Sequence, residues 1–122
     1  MILLRKKIRR GKCNYYQERA IIRVAKATQA KFIVSKLIAQ RLQIDVNTEA
    51  LMFGIKNKKL HVFKEPKDVD NYHLGAGDAG TYRFRSVDLY HFLTDFFKQS
   101  KEKEFYLEMN NEDLTFKLIN IS

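Results

Sequence analysis

Short apolar runs that come in pairs, each pair joined by a polar turn, constrain this chain more than any other feature of it. Residues 20 to 24, Ala-Ile-Ile-Arg-Val, and 30 to 34, Ala-Lys-Phe-Ile-Val, are β-branched and aromatic stretches of strand length. Residues 51 to 55 and 60 to 63 flank Lys56-Asn57-Lys58-Lys59, a turn whose asparagine tolerates positive φ. Residues 71 to 74 and 81 to 85 flank a glycine-rich turn, and Tyr82 and Phe84 alternate strictly with Arg83 and Arg85. Phe105, Leu107 and Met109 alternate, Asn110 to Asp113 turn the chain, and Leu114, Phe116 and Leu118 alternate on the return.

Two helices are expected between these hairpins. Ser35 stands as an N-cap before residues 36 to 42, where Leu37, Ile38 and Leu42 share one face. Ser86 caps a second helix in which Leu89, Phe92, Leu93, Phe96 and Phe97 form one apolar stripe, with Asp88 near the positive end of the dipole. Superposing Ser35 on Ser86 sets each helix between two hairpins, and a slide of two residues then places Asn57 on Asn111 and Leu60 on Leu114. The expected fold class is therefore α+β, built as two strand-strand-helix-strand-strand units, residues 19–66 and 67–122, in one compact domain. Pro66 lies in the charged stretch from Lys64 to Asp70, which reads as the linker between them.

A chain of 122 residues with 45% apolar and 12% aromatic side chains is enough for one core. No run approaches the roughly 20 apolar residues of a membrane span, so no membrane contact is expected. The opening residues place apolar side chains before charges, the reverse of a secretory signal. Cys13 is the only cysteine, which excludes an internal disulfide framework and points to a reducing cytoplasm. His61, His73 and His91 are scattered, without the spacing of a metal site. Gly75-Ala-Gly-Asp-Ala-Gly80 spells GxGxxG, but it leads into a strand rather than a helix, so a turn between antiparallel strands is the better reading. Asp68, Asp70 and Asp78 stand in polar surroundings that leave their carboxyl groups solvated. No catalytic constellation, metal or cofactor is expected.

Charge is distributed unevenly. The first 31 residues hold ten Lys or Arg against Glu18 alone, which accounts for the whole net charge of +9. Residues 1–18 read as a basic arm whose charges are interleaved with Ile2, Leu3, Leu4, Tyr15 and Tyr16, a pattern that suits contact with a polyanion. Arg23, Lys26 and Lys31 surround the loop of the first hairpin. The competing reading of those three is a charged edge that discourages strand aggregation.

Residues 20 to 66 resemble the AbrB/SpoVT/MazE group of swapped-hairpin DNA-binding domains. The resemblance rests on Lys31-Phe-Ile-Val-Ser35, Leu37-Ile-Ala-Gln-Arg-Leu42, Gln43-Ile44, Asn47-Thr-Glu49, Leu51-Met-Phe-Gly-Ile55, Lys59-Leu60-His-Val62 and Pro66. Ser35 departs from it, since the group usually has proline there, and Ala25-Lys-Ala-Thr-Gln29 replaces the usual glycine or asparagine of the first loop. The second unit resembles the group less, with Arg83, Arg85 and Ser86 leading into its helix. The resemblance implies a small interlocked β-barrel that binds duplex DNA through basic residues of the first hairpin. With both units in one chain, a monomer closed by internal pseudo-symmetry is expected over a homodimer.

The functional expectation is a non-enzymatic DNA-binding protein, a small transcriptional regulator or antitoxin-like factor of a microbe or mobile element. Arg5, Lys6, Lys7, Arg9, Arg10, Lys12, Arg19, Arg23, Lys26 and Lys31 are the expected phosphate contacts. Two alternatives use the same charges: a phage or multi-subunit assembly protein whose arm docks on an acidic partner, and a binder of RNA or single strands that stacks bases on Tyr15 and Tyr16.

Overall fold

The computed structural model describes residues 19–26 and 28–119, so the arm lies outside the described residues. The fold is α+β: one eight-stranded antiparallel sheet, curled into a half-barrel, and two α-helices. In chain order the elements are β1 (Ile21–Val24), β2 (Lys31–Val34), α1 (Lys36–Leu42), β3 (Glu49–Lys56), β4 (Lys59–Pro66), β5 (Gly75–Ala76), β6 (Tyr82–Arg85), α2 (Val87–Phe96), β7 (Phe105–Met109) and β8 (Thr115–Ile119). Across the sheet the order is β3-β4-β8-β7-β1-β2-β6-β5. Hairpins from the first and second halves of the chain therefore alternate, and every junction between hairpins joins the two halves.

This order gives each half its missing neighbours. β1 pairs with β7 on one side and β2 on the other, while β2 continues to β6. The β1–β2 hairpin thus lies inside the sheet, which overturns the reading of its charges as edge protection; the edges are β3 and β5. Phe32 and Phe84 face each other across β2 and β6 with ring centroids 4.7 Å apart and planes within 6° of parallel. Tyr72 and Phe53 pack against Phe84 of that stack, and Phe116 packs against Phe53. Burying aromatic rings of this size contributes about 1.5–3 kcal/mol each.

Local turns explain several strand boundaries. Asn57 and Lys58 adopt φ of 54° and 62°, the paired left-handed conformation of a two-residue type I′ turn whose twist matches the flanking strands. β3 and β4 consequently run longer than the apolar runs alone mark, and β4 takes in Lys64 to Pro66 of the stretch read as a linker. Pro66 ends its strand opposite Glu49, where its missing N–H costs least. In the glycine-rich turn Gly80 has φ of 77°, and a Cβ on Gly77 would come within 2.7 Å of Thr81 Oγ1. The strand before β6 is not residues 71 to 74, of which only Tyr72 pairs, as a bridge to Leu51; it is β5, Gly75–Ala76, inside the stretch read as the turn.

Other expectations needed correction. Leu114 takes φ of 57° in the turn before β8, and Leu118 is 40% exposed, so only Phe116 of that trio is buried. In α2 the buried side chains are Leu89, Tyr90, Leu93 and Thr94, and Phe92 is left 48% exposed. The two capping serines also differ. Ser86 Oγ accepts from the Leu89 amide at 3.1 Å, as an N-cap should. Ser35 Oγ caps nothing; fully buried, it accepts from the Ile21 amide at 3.0 Å while its own N–H donates to the Ile21 carbonyl at 2.9 Å. A proline could supply neither the hydroxyl nor the N–H, so β1 would lose its anchor at the end of β2.

Two substitutions test these assignments by urea unfolding. Ser35→Ala orphans the buried Ile21 amide and should lower stability by about 1–3 kcal/mol. Lys58→Gly removes the left-handed strain on a side-chain-bearing residue and should raise stability by about 1 kcal/mol. Equal effects of Ser35→Ala and a surface serine substitution such as Ser100→Ala would refute the anchoring role.

Candidate nucleic-acid interface

Pairing of β2 with β6 sets the geometry of the basic surface. Lys31 lies directly across from Arg85, and Arg83 lies one step along the same outward face, across from Ile33. Phe84 points the other way into the core, because side chains alternate along a strand. Lys31, Arg83 and Arg85 line a depression of about 370 Å³ together with His73, Gly75 and the edge of Phe84. His73 Nε2 is 2.8 Å from the Asp68 carbonyl oxygen, which only accepts, so that nitrogen carries the proton and donates.

The electrostatics of this face are unbalanced. Like charges directly opposite on paired strands repel. Among the described residues no carboxylate forms an ion pair with Lys31, Arg83 or Arg85. Three cations with no counter-charge paired to them among the described residues form a site suited to a phosphate or another oxyanion.

The other expected contact residues divide into two groups. Arg19 Nε is 2.7 Å from Glu108 Oε2, and Arg23 Nη2 is 2.6 Å from Glu104 Oε2, with its Nε also bonded to that oxygen at 2.7 Å. Both pairs follow from the β1–β7 register, which sets Ile21 beside Glu108 and Arg23 beside Tyr106. These arginines are partly neutralised, so their contribution to an external anion is reduced. Lys26 is exposed in the first hairpin loop, where its carbonyl accepts from the Gln29 and Ala30 amides. Beside it, a second depression mixes Arg23, Lys26 and Lys103 with Glu102 and Glu104 and so carries no strong field of one sign. Arg5, Lys6, Lys7, Arg9, Arg10 and Lys12 lie outside the described residues.

Sequence reasoning singled out Lys31 but not its partners Arg83, Arg85 and His73 as contacts. The alternation of Tyr82 to Arg85 already put both arginines on one face. The missing fact was the β2–β6 register, a pairing across some fifty residues that no local pattern encodes. Asp68, Asp70 and Asp78 are exposed, and among the described residues no group of three His, Cys, Asp or Glu side chains is placed to hold a metal. No helix among the described residues is long and apolar enough to cross a membrane.

Glu108 illustrates how the salt bridges enter stability. The hydrogen bond from Arg19 holds its carboxyl below the ordinary value of 4.5, helped by the charges of Arg19, Lys117 and Arg41 against a smaller desolvation cost. A depressed folded-state value adds stability above the unfolded value and loses it as pH falls through the folded one. Glu108→Gln should therefore make the fall in Tm on acidification from neutral pH to below 4.5 shallower. An unchanged acid limb in thermal unfolding would show that this ion pair is fully screened by solvent.

Comparison with protein-family models, curated proteins and solved structures finds no match for this chain.

Proposed function

We propose that this protein binds duplex DNA through phosphate contacts and acts as a small cytoplasmic regulator or antitoxin-like factor without catalytic chemistry of its own. The observation that carries the reading is the cationic face of β2 and β6, where Lys31 opposes Arg85, Arg83 adjoins them, and no described carboxylate pairs with any of the three. The six cations of residues 1 to 12, with Lys26, would extend that face along the polyanion. Alternation of hairpins from the two halves supports a further part of the reading: two fused units that close one interlocked barrel within a monomer, as the resemblance to swapped-hairpin domains implies.

Phosphates give affinity without sequence information, so base readout is limited in this proposal. If about six cations neutralise phosphates, log affinity for duplex DNA falls against log salt with a slope near −5. Replacing Lys31, Arg83 and Arg85 together by alanine makes that slope shallower by about 3, and removing residues 1 to 12 accounts for much of the remainder. Arg23→Ala, which breaks an internal ion pair, changes the slope least. Fluorescence anisotropy with duplex, single-stranded DNA and RNA across a salt series measures all of this, with circular dichroism to verify folding. A slope unaltered by the triple substitution refutes the interface, and tighter binding of single strands or RNA refutes the choice of duplex.

A further inference from the structure

β3 ends the strand order, with part of its edge facing no described strand. Leu51 exchanges both backbone bonds with Tyr72, at 3.0 and 2.9 Å, and this bridge lies on the side of β3 away from β4. Because backbone direction repeats every second residue, the N–H and C=O of Phe53 and Ile55 point to that same side. Val62 agrees with this parity, since it lies opposite Phe53 yet sends its own N–H to Leu114. Beyond Tyr72 no described strand continues the ladder.

A groove of about 460 Å³ runs along this open stretch between β3 and the first turns of α2. Phe53, Ile55 and Leu60 form one wall, Leu89 and Phe92 the other with the Asp88 carboxylate at its start, and Tyr72 closes one end. Ile55 is 46% and Phe92 48% exposed, large apolar side chains left in water on both walls. At the hairpin tip Lys56 and Lys58 are exposed, and among the described residues neither forms an ion pair. A strand edge with no described partner, largely apolar walls and exposed lysines at the adjoining hairpin tip together describe a peptide-binding groove of the strand-addition kind.

We propose that this groove binds an extended segment of a partner protein, which adds a strand to β3 beside Phe53 and Ile55. Its apolar side chains alternate so that every second one enters between Ile55 and Phe92, and acidic residues follow where the segment passes Lys56 and Lys58. Main-chain bonds to Phe53 and Ile55 supply affinity, the apolar pair supplies register, and the lysines select the charge of the flanking residues. This site is separate from the basic face and does not depend on DNA binding.

Fluorescein-labelled peptides Glu-Glu-Val-Thr-Leu-Thr and Thr-Leu-Thr-Val-Glu-Glu, which present the two strand directions, serve as probes for the full chain by anisotropy. One direction is expected to bind at least about fivefold more tightly than the other. N-methylation of the amides that face β3 should abolish binding, Phe92→Ala should weaken it about fivefold or more, and Phe63→Ala, an exposed residue outside the groove, should leave it unchanged. Lys56→Glu should weaken the acidic peptide and strengthen its counterpart with lysines in place of the glutamates, a charge exchange that a merely structural role for Lys56 would not produce. Each variant is checked for a native circular dichroism spectrum and Tm. Absence of binding by either peptide, or binding indifferent to N-methylation and to Lys56→Glu, overturns the proposal. A dimer in sedimentation velocity that Ile55→Lys dissolves assigns the edge to a second copy, and binding that emerges only after deletion of residues 1 to 12 assigns it to this chain's own arm; either result also overturns it.

Discussion

The stack of Phe32 on Phe84 is the contact on which the other features depend. It joins β2 from the first half of the chain to β6 from the second, and its near-parallel rings at 4.7 Å leave little freedom in register. A slip of one residue would turn Phe84 to solvent and carry Arg83 or Arg85 into the core, at the full cost of desolvating an unpaired guanidinium. Packing the aromatic pair inward and displaying the cations outward are thus one constraint. The repulsion between Lys31 and Arg85 is tolerated because the apolar face beneath them holds the strands together.

Around that junction the two halves are similar in order and different in detail. Both helices follow a strand and a serine, yet Ser86 caps its helix while Ser35 spends its hydroxyl on holding β1. The difference follows from position in the sheet. β1 has neighbours on both sides and needs its first amide satisfied in a dry site, whereas β5 is a two-residue edge strand beside solvent. Repeated local pattern therefore specifies the elements, and sheet neighbours decide what each equivalent side chain does.

That division explains how much was legible in the residues. Three of the four hairpins and both helices could be read from turn chemistry and periodicity, since Asn57 and the apolar stripe near Leu89 act within a few residues, whereas the strand before β6 fell at Gly75–Ala76 rather than at residues 71 to 74. What could not be read was set by contacts distant in the chain. Arg19 and Arg23 look like free cations until β7 brings Glu108 and Glu104 beside them. Phe92 fits the helical stripe and is nonetheless half exposed, because among the described residues no element covers it on the side of the β3 edge. Arg83 and Arg85 gain their meaning only when Lys31 arrives opposite them.

The short segment from Tyr72 to Gly75 ties the two surfaces together. Tyr72 bridges β3 and closes the end of the apolar groove, while His73 and Gly75, the next residues along, line the basic depression beside Arg83. Leu74 between them is buried, and His73 is held by the Asp68 carbonyl, so the segment is fixed at several points rather than hung between its ends. Because it contributes to a wall of each site, a displacement of its backbone at one would be felt at the other through a few covalent bonds. A coupling of this kind requires two arrangements of the segment with comparable free energy, and the bridge at Leu51 is a point at which they could differ, being a single residue pair where β5 and β6 share two and β2 and β6 share four.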